Sequence, residues 1–237
     1  MRSFLTNNMQ RFSQFWWGDR GLSTFLFLLF VIFFISPFID SHLADLLISM
    51  FLFLLLVSGI ANVTERKLFQ IGASVVAGAA MIFNVLHQVF PGKGMNAWWH
   101  LFAIAYFFLL IWVLLNQVFR AGPVTAHRVR GAVAVYLLIG LTWAFIYQLI
   151  ALVIPGAMSF PASMAAQPGE PEYESSLTYF SFVTMTTLGY GDIVPVSPVA
   201  RVFVIMEALI GQLYPATLLA RLVSLEISGK GDRTPPA

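Results

Sequence analysis

The chain has 237 residues, 59% of them hydrophobic and 10% charged, with a formal net charge of +2. An ordinary soluble domain is about 25% charged, so this composition excludes a soluble enzyme, a disordered tail and a nucleic-acid-binding domain, and fits apolar surface facing lipid. There are no cysteines, hence no disulfides, Fe–S clusters or thiolate zinc sites.

Residues 1–20 read as an N-terminal segment without a small-residue cleavage site. Phe4, Leu5, Met9, Phe12, Phe15 and Trp16 suit a helix lying on a membrane surface. Six apolar stretches follow, about 22–39, 43–61, 68–90, 97–119, 131–155 and 199–224, each long enough to cross a bilayer as a helix. The third is rich in small residues, and Ala73/Ala77 and Ser74/Gly78 allow close helix packing. Residues 121–130 form a basic linker containing Pro123. Between the fifth and sixth stretches lies a Pro- and Glu-rich loop, 156–174, then a half-polar segment too short to cross. A short helix that dips into the bilayer and returns, surrounded by protein, satisfies that pattern. A tail, 226–237, follows the last stretch. The expected fold is an all-α membrane protein with six spans: a four-helix unit over 21–120 and a second unit over 131–225. Eleven of the 13 Lys and Arg residues fall on the side that holds both termini, so the termini are expected in the cytoplasm.

Residues 184–192 read Thr-Met-Thr-Thr-Leu-Gly-Tyr-Gly-Asp. This string resembles the pore signature of potassium channels, and it sits between a re-entrant helix and a last span, where such a filter belongs. A potassium ion entering a narrow pore exchanges its water for inward-facing backbone carbonyls. Successive carbonyls share one axis only if alternate residues take unusual dihedrals, which accounts for Gly189 and Gly191. The resemblance implies K+ sites at the carbonyls of Thr187, Leu188, Gly189 and Tyr190, with the Thr187 hydroxyl as the innermost ring. Gly191 completes the filter, and Asp192 adds negative potential at the outer mouth. It further implies a homotetramer in a cell (plasma or inner) membrane, since one chain supplies one filter strand. The partners are then K+, three further copies and membrane lipids, with no nucleic acid, and no cofactor beyond the permeant ion.

The helix before the filter is expected at about 177–186, with Thr184, Thr186, Tyr179 and Val183 supporting the filter. Tyr179 and Phe180 stand where the family usually carries two tryptophans, and Val183 where many bacterial relatives carry a glutamate. Tyr179 is placed either to donate to Asp192 or to pack against a neighbouring subunit. In the last span, Gly211 resembles the family's gating hinge, and Pro215 removes a helix hydrogen bond. A second reading makes Gly211 a point of close packing. Gln212, Pro215 and Leu219 share one face and are expected to line the cavity. Glu207, the one acid deep within a span, is expected to support the filter as a neutral, hydrogen-bonded group near Thr184 or Thr186.

Four spans before a pore unit resembles the voltage-gated layout, but the fourth stretch has no Arg or Lys from Ala97 to Phe119. Little voltage dependence is therefore expected. Gly189-Tyr190-Gly191-Asp192 also matches the G-x-G-D string of intramembrane aspartyl proteases, whose chemistry needs a second mid-membrane aspartate. Asp19, Asp40, Asp45 and Asp232 do not supply one, so no enzyme is expected. A weakly selective cation channel is the other alternative.

Overall fold

The computed structural model describes residues 93–119, 125–162 and 170–231, together with scattered helical positions between 72 and 86. The first two expected spans, the N-terminal segment and the centre of the basic linker lie outside the described residues. Beyond those scattered positions, the described residues form four helices and one minimal strand pair: α1 (Lys93–Val118), α2 (Ala126–Val153), β1 (Met158–Ser159), α3 (Pro171–Met185), β2 (Val194–Pro195) and α4 (Pro198–Gly231). Three of the helices are long and apolar enough to cross a membrane, over Gly94–Asn116, Arg128–Val153 and Pro198–Ser224. They correspond to the expected fourth, fifth and sixth spans.

Local chemistry sets the helix ends. Thr125 caps α2, its hydroxyl accepting from the Arg128 N–H at 3.4 Å. The linker therefore ends in helix from Ala126, five residues before the expected start of the span. α3 likewise begins at Pro171, inside the expected loop, and ends at Met185. A proline at the first helical position loses no hydrogen bond. Glu172 and Glu174 in the first turn complement the positive end of the helix dipole. The polar composition that suggested a loop is thus that of a helix start.

α1 and α2 pack through an apolar seam that includes Tyr106, Phe107, Leu110, Val135 and Leu138. The Phe107 and Phe145 rings meet edge-on at 5.3 Å. A polar chain crosses the seam near one end. His100 Nδ1 lies 2.8 Å from the Asn96 carbonyl oxygen and Nε2 lies 3.2 Å from Gln148 Oε1, while Gln148 Nε2 donates to the Glu174 carbonyl at 3.1 Å. This chain links α1, α2 and the start of α3. β1 and β2 pair antiparallel, Met158 with Pro195 and Ser159 with Val194. They clip the chain after α2 to the chain after residues 187–192. This clip is an addition to the all-α expectation.

α3 sits between α2 and α4, burying Leu177, Phe180 and Ser181. α4 contrasts with its neighbours: only 11% of its most apolar stretch is buried, against 56% for α2. Val202, Ile205, Leu209, Leu213 and Leu219 all stand exposed on it. The helix continues through Pro215.

Candidate functional site

The segment 187–192, the expected filter, begins where α3 stops. Thr187, Gly189 and Gly191 take φ of 59°, 56° and 76°. Every second residue is therefore in the left-handed region, the alternation that inward carbonyls require. A side chain added at Gly189 or Gly191 would meet no atom within 4 Å. Glycine is needed there for its dihedral, not for space. Thr187 is β-branched and adopts the same conformation without that freedom, an arrangement worth ~1–3 kcal/mol of strain.

The α3 C-terminus holds the first turn of this segment. The Val183 carbonyl accepts from Leu188 N–H at 2.9 Å and Gly189 N–H at 3.2 Å. Thr184 O accepts from Thr187 N–H at 2.9 Å. The Thr186 hydroxyl turns back to the Phe182 carbonyl at 2.6 Å, away from the segment. The Tyr136 hydroxyl of α2 donates to the Met185 carbonyl at 3.4 Å. The helix-end carbonyls that would otherwise lack partners are thereby occupied. At the far end, Tyr179 donates to Asp192 Oδ2 at 2.7 Å, and the Ile193 N–H donates to Oδ1 at 3.0 Å. Of the two readings of Tyr179, the bond to Asp192 is present. That bond, with the backbone N–H groups adding to it, holds the Asp192 carboxyl below the usual carboxylate range. The same bond pushes the Tyr179 hydroxyl up to about 12.

Leu188 and Tyr190 are largely exposed in the single chain, at 55% and 67%. Thr187, Gly189 and Gly191 are exposed as well. Gln212, Pro215 and Leu219 are exposed on α4. Gly211 is buried, and a Cβ there would collide with the Met185 carbonyl oxygen. This geometry favours the close-packing reading of Gly211.

Glu207 is fully buried, as expected, but its partners differ from expectation. Ser181 Oγ approaches Glu207 Oε1 at 2.5 Å, and Tyr147 donates to Oε2 at 2.6 Å. Thr184 and Thr186 are not its partners. Ser181 lies one helical turn before Met185, so Glu207 grips the middle of α3. Ser181, Tyr147, Tyr136 and Gln148 were not singled out in the sequence. Their signal was a polar atom placed within otherwise apolar helices. Among the described residues, no group of three or more His, Cys, Asp or Glu side chains is arranged to hold a metal ion.

A short helix, a segment of alternating positive φ and an apolar flanking helix follow one another in the order that the sequence reading expects of an ion-channel pore unit. The model of the ion channel family matches residues 135–227, which take in the last two thirds of α2, all of α3, the segment 187–192 and nearly all of α4. A "Two pore potassium channel c" of Oryza sativa subsp. japonica is 32% identical over 80 residues, covering 34% of this chain and 18% of the rice protein. A "Voltage-gated potassium channel Kch" of Escherichia coli (strain K12) is 46% identical over 61 residues, covering 25% of this chain and 15% of that one. The matches thus span less than a fifth of the length of either relative. No solved structure matches. The likeness is thus to ion channels over residues 135–227, and both relatives are named as potassium channels.

Proposed function

We propose that the protein is a potassium-selective channel whose pore forms at the axis of four identical chains. The observation that carries this reading is the alternation of positive φ at Thr187, Gly189 and Gly191 within Thr-Leu-Gly-Tyr-Gly-Asp. Rings of carbonyls from Thr187, Leu188, Gly189 and Tyr190 replace the ion's water, with the Thr187 hydroxyl below them. Asp192, ionised beside Tyr179, concentrates cations at the outer mouth. Four copies are required because one strand presents oxygens from one side only. The exposed filter residues and the apolar, unburied face of α4 suit an axis lined by neighbouring copies. α3 points its C-terminal end toward the axis and favours a cation there. Gln212, Pro215 and Leu219 line the cavity below the filter. The chain crosses the cell membrane with both termini in the cytoplasm.

Purified protein in liposomes tests this reading. Potassium gradients should drive a flux that barium blocks and sodium does not replace. Gly189→Ala should insert normally and lose the potassium flux by at least about a hundredfold, because its alanine cannot hold the left-handed turn without strain. Wild-type-like selective flux from that variant would overturn the filter assignment. Equal sodium and potassium flux from the natural chain would instead support the weakly selective alternative.

A further inference from the structure

We infer that Glu207 is held as the neutral acid and acts as a positioning residue, its one proton completing a hydrogen-bond chain that fixes α3 between α2 and α4. The argument is a count of protons. Three oxygen–oxygen contacts meet around the carboxyl. Ser181 Oγ lies 2.8 Å from the Gly140 carbonyl oxygen on α2 and 2.5 Å from Glu207 Oε1. The Tyr147 hydroxyl lies 2.6 Å from Glu207 Oε2. Contacts this short each require a hydrogen between the oxygens. The serine and tyrosine hydroxyls bring one each, and a backbone carbonyl brings none.

An ionised Glu207 would leave two protons for three contacts. Ser181 would then face either the carboxylate or the Gly140 carbonyl with a lone pair. The neutral acid supplies the missing proton, and one direction of donation satisfies every contact. Glu207 Oε1–H donates to Ser181 Oγ, the Ser181 hydroxyl donates to Gly140 O, and the Tyr147 hydroxyl donates to Glu207 Oε2. Each oxygen in the chain then has a hydrogen-bond partner of the right sense.

The surroundings favour the same state. Glu207, Ser181 and Tyr147 are each 0% exposed. Trp143 stacks on Tyr147 at 6.1 Å, and Phe180 meets the Tyr147 ring edge-on at 5.2 Å. The titratable groups facing the carboxyl are Tyr147 in contact and Tyr136 farther off, both on α2. α3 presents the Ser181 hydroxyl. Among the described residues, no Lys, Arg or His touches it. A buried carboxylate without a cation pays heavily for desolvation, and the neutral acid avoids that cost. The bridge lies within α3, four residues before the helix end that holds Leu188 and Gly189. Removing the proton breaks one of the three contacts and frees α3 to shift against α2 or α4.

The positioning role rests on the proposed conduction through the filter; the protonation state does not. Infrared spectra of the purified full-length protein in lipid at neutral pH separate the two. The wild-type spectrum should show a protonated-carboxyl C=O stretch, which Glu207→Gln removes. Ser181→Ala keeps the acid but alters its hydrogen bond, so it should shift the band, and this arm stands if the glutamine variant does not fold. In the flux assay, Glu207→Gln should keep potassium-over-sodium flux within about twofold, since an amide donates to Ser181 and accepts from Tyr147. Glu207→Ala should lower flux about tenfold or more, because it leaves the buried Tyr147 hydroxyl without an acceptor and the Ser181 oxygen without its donor. A wild-type spectrum with only carboxylate stretches would overturn the neutral acid. A glutamine variant that loses flux as fully as the alanine variant would overturn its positioning role. Should wild type conduct nothing, the conduction reading and the positioning role with it fail, while the infrared band still decides the protonation state.

Discussion

In the proposed channel, Asp192 and Tyr179 together set the charge at the outer mouth. Their hydrogen bond lowers the carboxyl's proton affinity and raises the phenol's to about 12. The signs give a window. For Asp192, whose value is depressed, the contribution is complete above the ordinary aspartate value near 4 and is lost as pH falls through the lowered folded value. For Tyr179, whose value is raised, it is complete below about 10 and is lost as pH rises toward 12. Potassium flux should therefore be insensitive to this pair from about pH 5 to 9. Tyr179→Phe removes the donor, so the carboxyl should protonate at higher pH. Flux measured against external pH should then begin to fall at a less acid pH than in wild type. Identical acid limbs in the two proteins would show that the hydrogen bond does not set the charge at the mouth.

At the scale of elements, α3 is fixed at three levels: Gln148 reaches its start, the Glu207 bridge its middle, and Tyr136 its last carbonyl. α4 closes on that last turn through Gly211, where any Cβ meets the Met185 carbonyl. A backbone oxygen cannot move aside as a flexible side chain can, so Gly211→Ala should destabilise the fold by roughly 1–3 kcal/mol. Thermal unfolding of the purified variant in detergent checks this. A pure hinge role predicts unchanged stability with altered open probability. What the sequence revealed and concealed here follows from range. The unusual backbone at Gly189 and Gly191 was legible because their glycines answer a local dihedral requirement. The apolar lengths of α1, α2 and α4 were legible because a bilayer demands them. The start of α3 was misread because Pro171, Glu172 and Glu174 read as loop residues until the helix dipole is considered. The partners of Glu207 lie 26 and 60 positions away in the chain. They depend on how three helices rotate against one another, which composition and spacing do not specify.

For the whole molecule, the decisive contrast is between what α1 resembles in place and what it contains. It packs beside the pore unit as the fourth span of a voltage-gated channel would be placed in sequence. Moving one elementary charge across the membrane yields about 2.3 kcal/mol per 100 mV, and steep gating needs several such charges. From Gly94 to Val118 the helix carries no Lys, Arg, Asp or Glu. His100, the titratable group near its start, is tied through Gln148 to α3, an anchored position unsuited to travel through the field. The E. coli relative is named for voltage gating, but the likeness covers only 25% of this chain and does not bring a sensor with it. Planar-bilayer recordings should accordingly show open probability that changes less than about twofold between −100 and +100 mV, the response expected when less than about a tenth of a charge crosses the field. A steep, e-fold rise within a few millivolts would require several moving charges. α1 could not supply them, and the search would move to the residues before it.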